Sequence, residues 1–184
     1  MFLLNEKVVY PGYGVALISR KVERIVAGAI TTFFELKFFT KDMTILVPED
    51  RLESVGIRRL SSEQSIQDMM DLLQGRACKK TVTCDSGVVN WNKRNKDYQF
   101  KLRSGDILKI STIYKDLQTV GFDKELSFGE RNLLSQIENL LVEEISVVLS
   151  LTKEQALQEL RKPFGSTQPS ATPEIQPKMT QVAI

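Results

Sequence analysis

The residues of this chain best suited to chemistry are Asn90, Trp91, Asn92, Lys93, Arg94, Asn95 and Lys96, a run that holds the protein's single tryptophan. Asn90 is a good helix N-cap, because its side-chain oxygen can accept from a free backbone N–H of the first turn. That predicts a helix with Trp91 at its tip and Lys93, Arg94 and Lys96 within a turn and a half of it. Basic residues near a helix N-terminus oppose the macrodipole, so the helix itself gains nothing from them. A flat apolar ring among such cations suits nucleic acid: the cations meet phosphate and the ring meets bases. The spacing equally suits a core tryptophan, since Tyr98 and Leu102 fall on the same helical face, and the cations equally suit a solvated face. Both readings stand on these residues alone.

Composition narrows the classes. In 184 residues, 42% are hydrophobic and 26% charged, as in an ordinary soluble globular protein. The net charge of +2 does not argue for nucleic acid, but its distribution does. Between positions 76 and 103, Arg76, Lys79, Lys80, Lys93, Arg94, Lys96, Lys101 and Arg103 face only Asp85 and Asp97. Histidine is absent, which removes the commonest general base and the usual partners of a zinc site. Cys78 and Cys84 fit no metal-ligand spacing and read as free thiols of a cytoplasmic protein. No nucleophile motif, phosphate-binding loop, signal peptide or membrane span is recognisable, so neither an enzyme nor a cofactor is implied.

The elements that must hold the run around Trp91 are helical. Ser61, Ser62, Glu63 and Gln64 read as a capping-box start, followed by an apolar stripe to Leu73. A basic loop over 75–89 leads to the Trp91 helix, which should end near Arg103 with Gly105 just beyond it. Asp106 can cap the next helix. Ser127 and Glu130 form a second capping box opening a long helix to about 149, with Leu133, Leu134, Ile137, Leu140, Leu141 and Ile145 stepping by three and four. Thr152 and Gln155 cap a last helix through 160. From Pro163 the composition turns to Pro, Ser, Thr and Gln, which predicts a disordered tail over 163–184.

Residues 1–59 read as β. Strands are expected at 7–10, 15–26, 31–39, 43–47 and 55–58, with turns at Pro11 to Gly14, at Ala27 and Gly28, and at Lys41 and Asp42. Phe34, Leu36 and Phe38 alternate with Glu35 and Lys37, so one face is buried. Met43, Ile45 and Val47 should point inward, and Thr44 and Leu46 outward. The fold class is α+β: a small SH3/Tudor-like antiparallel β-barrel over 1–59, an all-α domain over 60–162, and the tail.

With both halves laid out, the chain resembles the CarD/CdnL family of bacterial transcription regulators. The run Val8, Val9, Tyr10, Pro11, Gly12, Tyr13, Gly14, Val15 carries the likeness, as do Thr44, Ile45, Leu46, Val47, Pro48. In the helical half it rests on Asn90, Trp91, Asn92, Lys93, Arg94 and on Leu126, Ser127, Phe128, Gly129, Glu130, Arg131. These four blocks, in order, cover roughly residues 5–162. The N-terminal part also resembles the RNA-polymerase-interacting domain of the transcription-repair coupling factor, without room for that protein's motor.

The resemblance implies that the β domain binds the RNA polymerase β subunit by strand pairing through Thr44, Ile45, Leu46, Val47 and Pro48, with Arg24 contributing. Some relatives have arginine where this chain has Leu46, so no ionic anchor is expected there. It further implies that the helical domain meets promoter DNA at the upstream edge of the melted region, with Trp91 as a minor-groove wedge. Asn90, Lys93, Arg94, Lys96 and Arg131 would then lie along the DNA, with little sequence preference. The expected partners are therefore RNA polymerase and promoter DNA, with a sigma factor as a further candidate and no membrane. A monomer is expected, weak on free DNA, with polymerase supplying the effective concentration. A protein-interaction adaptor or an RNA-binding module could use the same basic helical face.

Overall fold

The computed structural model describes residues 2–40, 42–75 and 91–165. Strands β1 (Lys7–Tyr10) and β2 (Gly14–Val26) pair antiparallel across the Pro11 to Tyr13 turn, with Tyr10 opposite Gly14. β2 and β3 (Ala29–Phe38) form a long hairpin closed by Ala27 and Gly28, both at positive φ, 51° and 83°. Such two-residue turns match the right-handed twist of the strands they join. β4 (Thr44–Pro48) pairs with β3, and β5 (Arg58–Arg59) with β1.

The sheet order is β4-β3-β2-β1-β5, so β4 and β5 are its edges. The register slips between Ile18 and Arg20, a bulge that bends β2. The expected alternation on β3 is real: Phe34, Leu36 and Phe38 are buried with Val8, Ala16, Ile18 and Val47. This is the Tudor-like antiparallel sheet of an α+β chain. The fifth strand is shorter than the expected 55–58, because Val55 and Gly56 turn back to bond the carbonyls of Arg51 and Glu53.

Among the described residues the following α-helices come next: α1 (Glu63–Leu73), α2 (Trp91–Arg103), α3 (Ile107–Asp123), α4 (Phe128–Val148) and α5 (Lys153–Arg161). The capping box of Ser127 with Glu130 closes as expected, the Thr152 cap closes as a full box with Gln155, and the box expected at Ser61 to Gln64 does not form. Asp106 caps α3, and Gly105 follows α2 at φ 67°. At α1 the cap is Ser62, accepting from the Ser65 N–H, since the Ser61 N–H is committed to Glu144. The helices pack around Ile66, Met69, Tyr114, Leu117, Ile137, Leu141 and Ile145. Tyr114 donates to Glu138 at 3.0 Å, and Glu138 also holds Arg161 at 2.7 and 2.8 Å, which ties α3, α4 and α5 together.

Residues 163–165, expected in the tail, are ordered against the helices. Lys162–Phe164 is a 3-10 turn whose Phe164 ring meets Tyr114 edge-on at 5.5 Å. An aromatic that can reach a core ring docks whatever the prolines beside it suggest. The remainder of the expected tail, the 75–89 loop from 76 onward with Cys78 and Cys84, and the Asn90 cap lie outside the described residues.

Strands and helices are locked to each other by two adjacent carboxylates of α4, Glu143 and Glu144, 7% and 4% exposed. Glu144 takes both terminal nitrogens of Arg58 at 2.7 and 2.8 Å, while the Arg58 Nε donates to the Gly105 carbonyl at 2.6 Å. Glu143 accepts the Val15 N–H at 3.2 Å. It lies so close to Gly14 that a Cβ there would fall 2.0 Å from its Oε2, and Gly14 sits at φ 109°. Only glycine meets both demands.

Candidate nucleic-acid interface

α2 is organised by what it buries. Tyr98 and Leu102, 4% and 3% exposed, face α3 and α4. Burial pushes the Tyr98 hydroxyl up to about 12. Trp91 sits at the α2 tip, partly buried against the same core. Its indole lies on Gly129 in the first turn of α4, where a Cβ would be 3.4 Å from Cζ2. Trp91 is thus neither a full core residue nor a free ring: it is half-buried, packed on the first turn of α4. Beside it Phe128, the first residue of α4, is 74% exposed.

The predicted cations divide. The Arg94 guanidinium passes within 6.0 Å of the Trp91 ring centroid and donates to Glu130 at 2.7 Å. Its Nε is buried with no partner among the described residues. Glu130 also accepts from the Ser127 N–H and hydroxyl at 2.9 and 2.8 Å. Burial pushes the Glu130 carboxyl up, yet the Ser127 bonds and the charges of Lys124 and Arg94 outweigh it and hold it below the ordinary range. Arg94 therefore first orients the α2 tip against α4. Arg131 pairs with Glu125 at 3.2 Å on the surface, where such a pair contributes little and exchanges readily. Lys93 and Lys96 are exposed and without an ion pair among the described residues.

The predicted polymerase contacts lie at the other end. β4 is an edge strand paired on one side only, to β3. Val47 is buried and Ile45 packs on the sheet core, as expected; Thr44 is exposed, while Leu46 and Pro48 are half-buried. Val22, Phe33 and Pro48 align across three strands, so exposed Arg24 lies two residues beyond the Pro48 end of that edge. The hairpin continues past it to Ile25 and Ile30, a cross-strand pair 77% and 74% exposed. Sequence reasoning missed this apolar tip, because two isoleucines in strands read as core until the sheet's extent is known.

Fold and site together present two separate features: an edge strand paired on one side only, and exposed cations on α2. Residues 2–61 match the family description "CarD-like/TRCF RID domain", and residues 68–161 match "CarD, C-terminal domain". The chain is also 21% identical over 155 residues to a Bacillus subtilis (strain 168) protein named "Putative transcription factor YdeB", covering 84% of this chain and 97% of that one. The chain belongs to the CarD family, whose members are regulatory binding proteins that act in transcription through RNA polymerase. Among the described residues no helix is long and apolar enough to cross a membrane.

Proposed function

We propose that this protein stabilises promoter open complexes: the β4 edge pairs with the RNA polymerase β subunit, and Trp91 enters the minor groove at the upstream edge of the bubble. The observation that carries the reading is the seating of Trp91 on Gly129 at the joined tips of α2 and α4, in a helix whose outer face exposes Lys93 and Lys96. A wedge must recover an unstacking cost of a few kcal/mol per step. At a junction already opened by polymerase much of that cost is met, and stacking returns ~1–3 kcal/mol. A net gain of ~1.4 kcal/mol shifts the open-to-closed ratio about tenfold. A ring already fixed against Gly129 pays little further entropy to stack.

The rigid joint through Glu143 and Glu144 supports the same reading, because it holds the helix tip at one distance from the polymerase-binding edge. Arg24, Thr44, Ile45, Leu46, Val47 and Pro48 would face polymerase, and Asn90, Lys93, Lys96 and Arg131 would face DNA. Arg94 would act chiefly by orienting Trp91.

The test places a fluorescent base analogue at the upstream bubble edge of polymerase–promoter complexes. Wild type should change its emission, and Trp91→Ala should not, while still binding polymerase. Equal responses from both would remove the wedge.

A further inference from the structure

The outer face of α2 carries a pattern that the tip does not explain. Lys93, Lys96, Phe100 and Arg103 recur at steps of three, four and three, which places them on one side of the helix. All four are exposed, Phe100 to 73%. None of the three cations makes a hydrogen bond or ion pair with a described residue. The other described cations of the helical part are engaged: Arg94, Lys101, Lys109, Arg131, Arg161 and Lys162 with carboxylates. Lys115 and Lys153 donate to Leu72 and Thr40, and Lys124 lies in the field of Glu130.

Among the described residues of this half, the unsatisfied positive charge is therefore concentrated around one exposed aromatic. The stripe is about 15 Å long, the span of several phosphates. At its far end Arg103 lines an open cleft of about 380 Å³ with Gln99, Gln136 and Tyr13, beside the β1–β2 turn.

We infer that this face is a single-stranded DNA track: Lys93, Lys96 and Arg103 follow the phosphates of one unpaired promoter strand, and Phe100 stacks on one of its bases. The inference rests on the open-complex reading above and extends it to residues on the opposite side of α2 from Trp91. A duplex offers its backbone and groove edges to such a face, so the cations alone would suffice there. An aromatic open to solvent between them is the combination that binds unpaired strands without reading sequence. The two sides of α2 then fit the two arms of a fork, with the helix tip between them.

The test is fluorescence anisotropy of the full chain at low ionic strength, with a labelled DNA strand, its duplex and the same strand in RNA. Phe100→Ala should weaken the single strand about fivefold or more and leave the duplex unchanged. Arg103→Gln should lower the slope of log affinity against log salt by about 0.7 on the strand. Both side chains are exposed, so circular dichroism should be unchanged. Wild-type affinity for the strand in Phe100→Ala and Arg103→Gln would overturn the inference, as would tighter binding of RNA than DNA. A Trp91→Ala protein that loses its effect on open complexes beside neutral Phe100 and Arg103 variants would sink the track and leave the wedge standing. The reverse pattern would sink the wedge alone.

Discussion

Two arginines at the joints and two cations on the open face of α2 show what one kind of charge does in two settings. Arg58 and Arg94 have partly buried guanidiniums and spend their charge inside the protein, on Glu144 and Glu130. Lys96 and Arg103 have no hydrogen-bond or ion-pair partner among the described residues and leave their charge in solvent. Removing one partner of a buried pair leaves the other uncompensated, whereas removing a solvated charge changes only the field around the helix. Basic residues near α2 are thus not one patch: some hold the fold together, and others lie exposed on its surface.

Glu144→Ala leaves Arg58 partly buried without its carboxylate and should cost about 3–5 kcal/mol in denaturant unfolding. Gly14→Ala forces a left-handed backbone and drives a Cβ into Glu143, so a loss of at least about 1–3 kcal/mol is expected. Adding Glu143→Ala should return part of that loss, and no recovery would mean that backbone strain alone sets it.

The α2 tip sharpens the contrast further. Arg94→Gln should cost about 1.5–3 kcal/mol of stability, as for a hydrogen bond to a charged group, while Lys96→Gln stays within about 0.5 kcal/mol. If urea midpoints fall equally for the two, the division between frame and surface fails.

Acid supplies a smaller test. Glu130 is held below its unfolded value, so the folded state binds its proton less tightly than the unfolded chain does. The stability it contributes is full above the unfolded value and is lost as pH falls through the folded one. Asp116, raised by burial despite Lys101 and Arg94, works in the opposite direction nearby. Glu130→Gln should therefore be weaker at neutral pH yet decline less steeply than wild type on acidification below about pH 5. Parallel curves would mean that Glu130 titrates alike in both states.

Much of this was legible in the chain. The three-and-four spacing of Leu133, Ile137 and Leu141 and the caps at Ser127 and Thr152 gave α4 and α5 because those signals are local. The Ala27 and Gly28 turn gave the hairpin for the same reason. What stayed hidden depends on partners distant in sequence. Nothing in the sequence singles out Glu143 and Glu144, because their partners Val15 and Arg58 lie more than eighty positions away. Arg94 read as one more DNA cation until Glu130 closed on it. The Lys93, Lys96, Phe100, Arg103 spacing was visible throughout, but its meaning required knowing that Tyr98 and Leu102 turn the other side of α2 inward.

If the indole of Trp91 seated on Gly129 holds the promoter open, the lifetime of open complexes formed by cognate RNA polymerase reports it. Wild type should lengthen that lifetime, about tenfold for a ~1.4 kcal/mol wedge, and Trp91→Ala should lose most of the effect while binding polymerase normally. Equal lifetimes with wild type and Trp91→Ala would contradict the account and leave Trp91 as packing between α2 and α4.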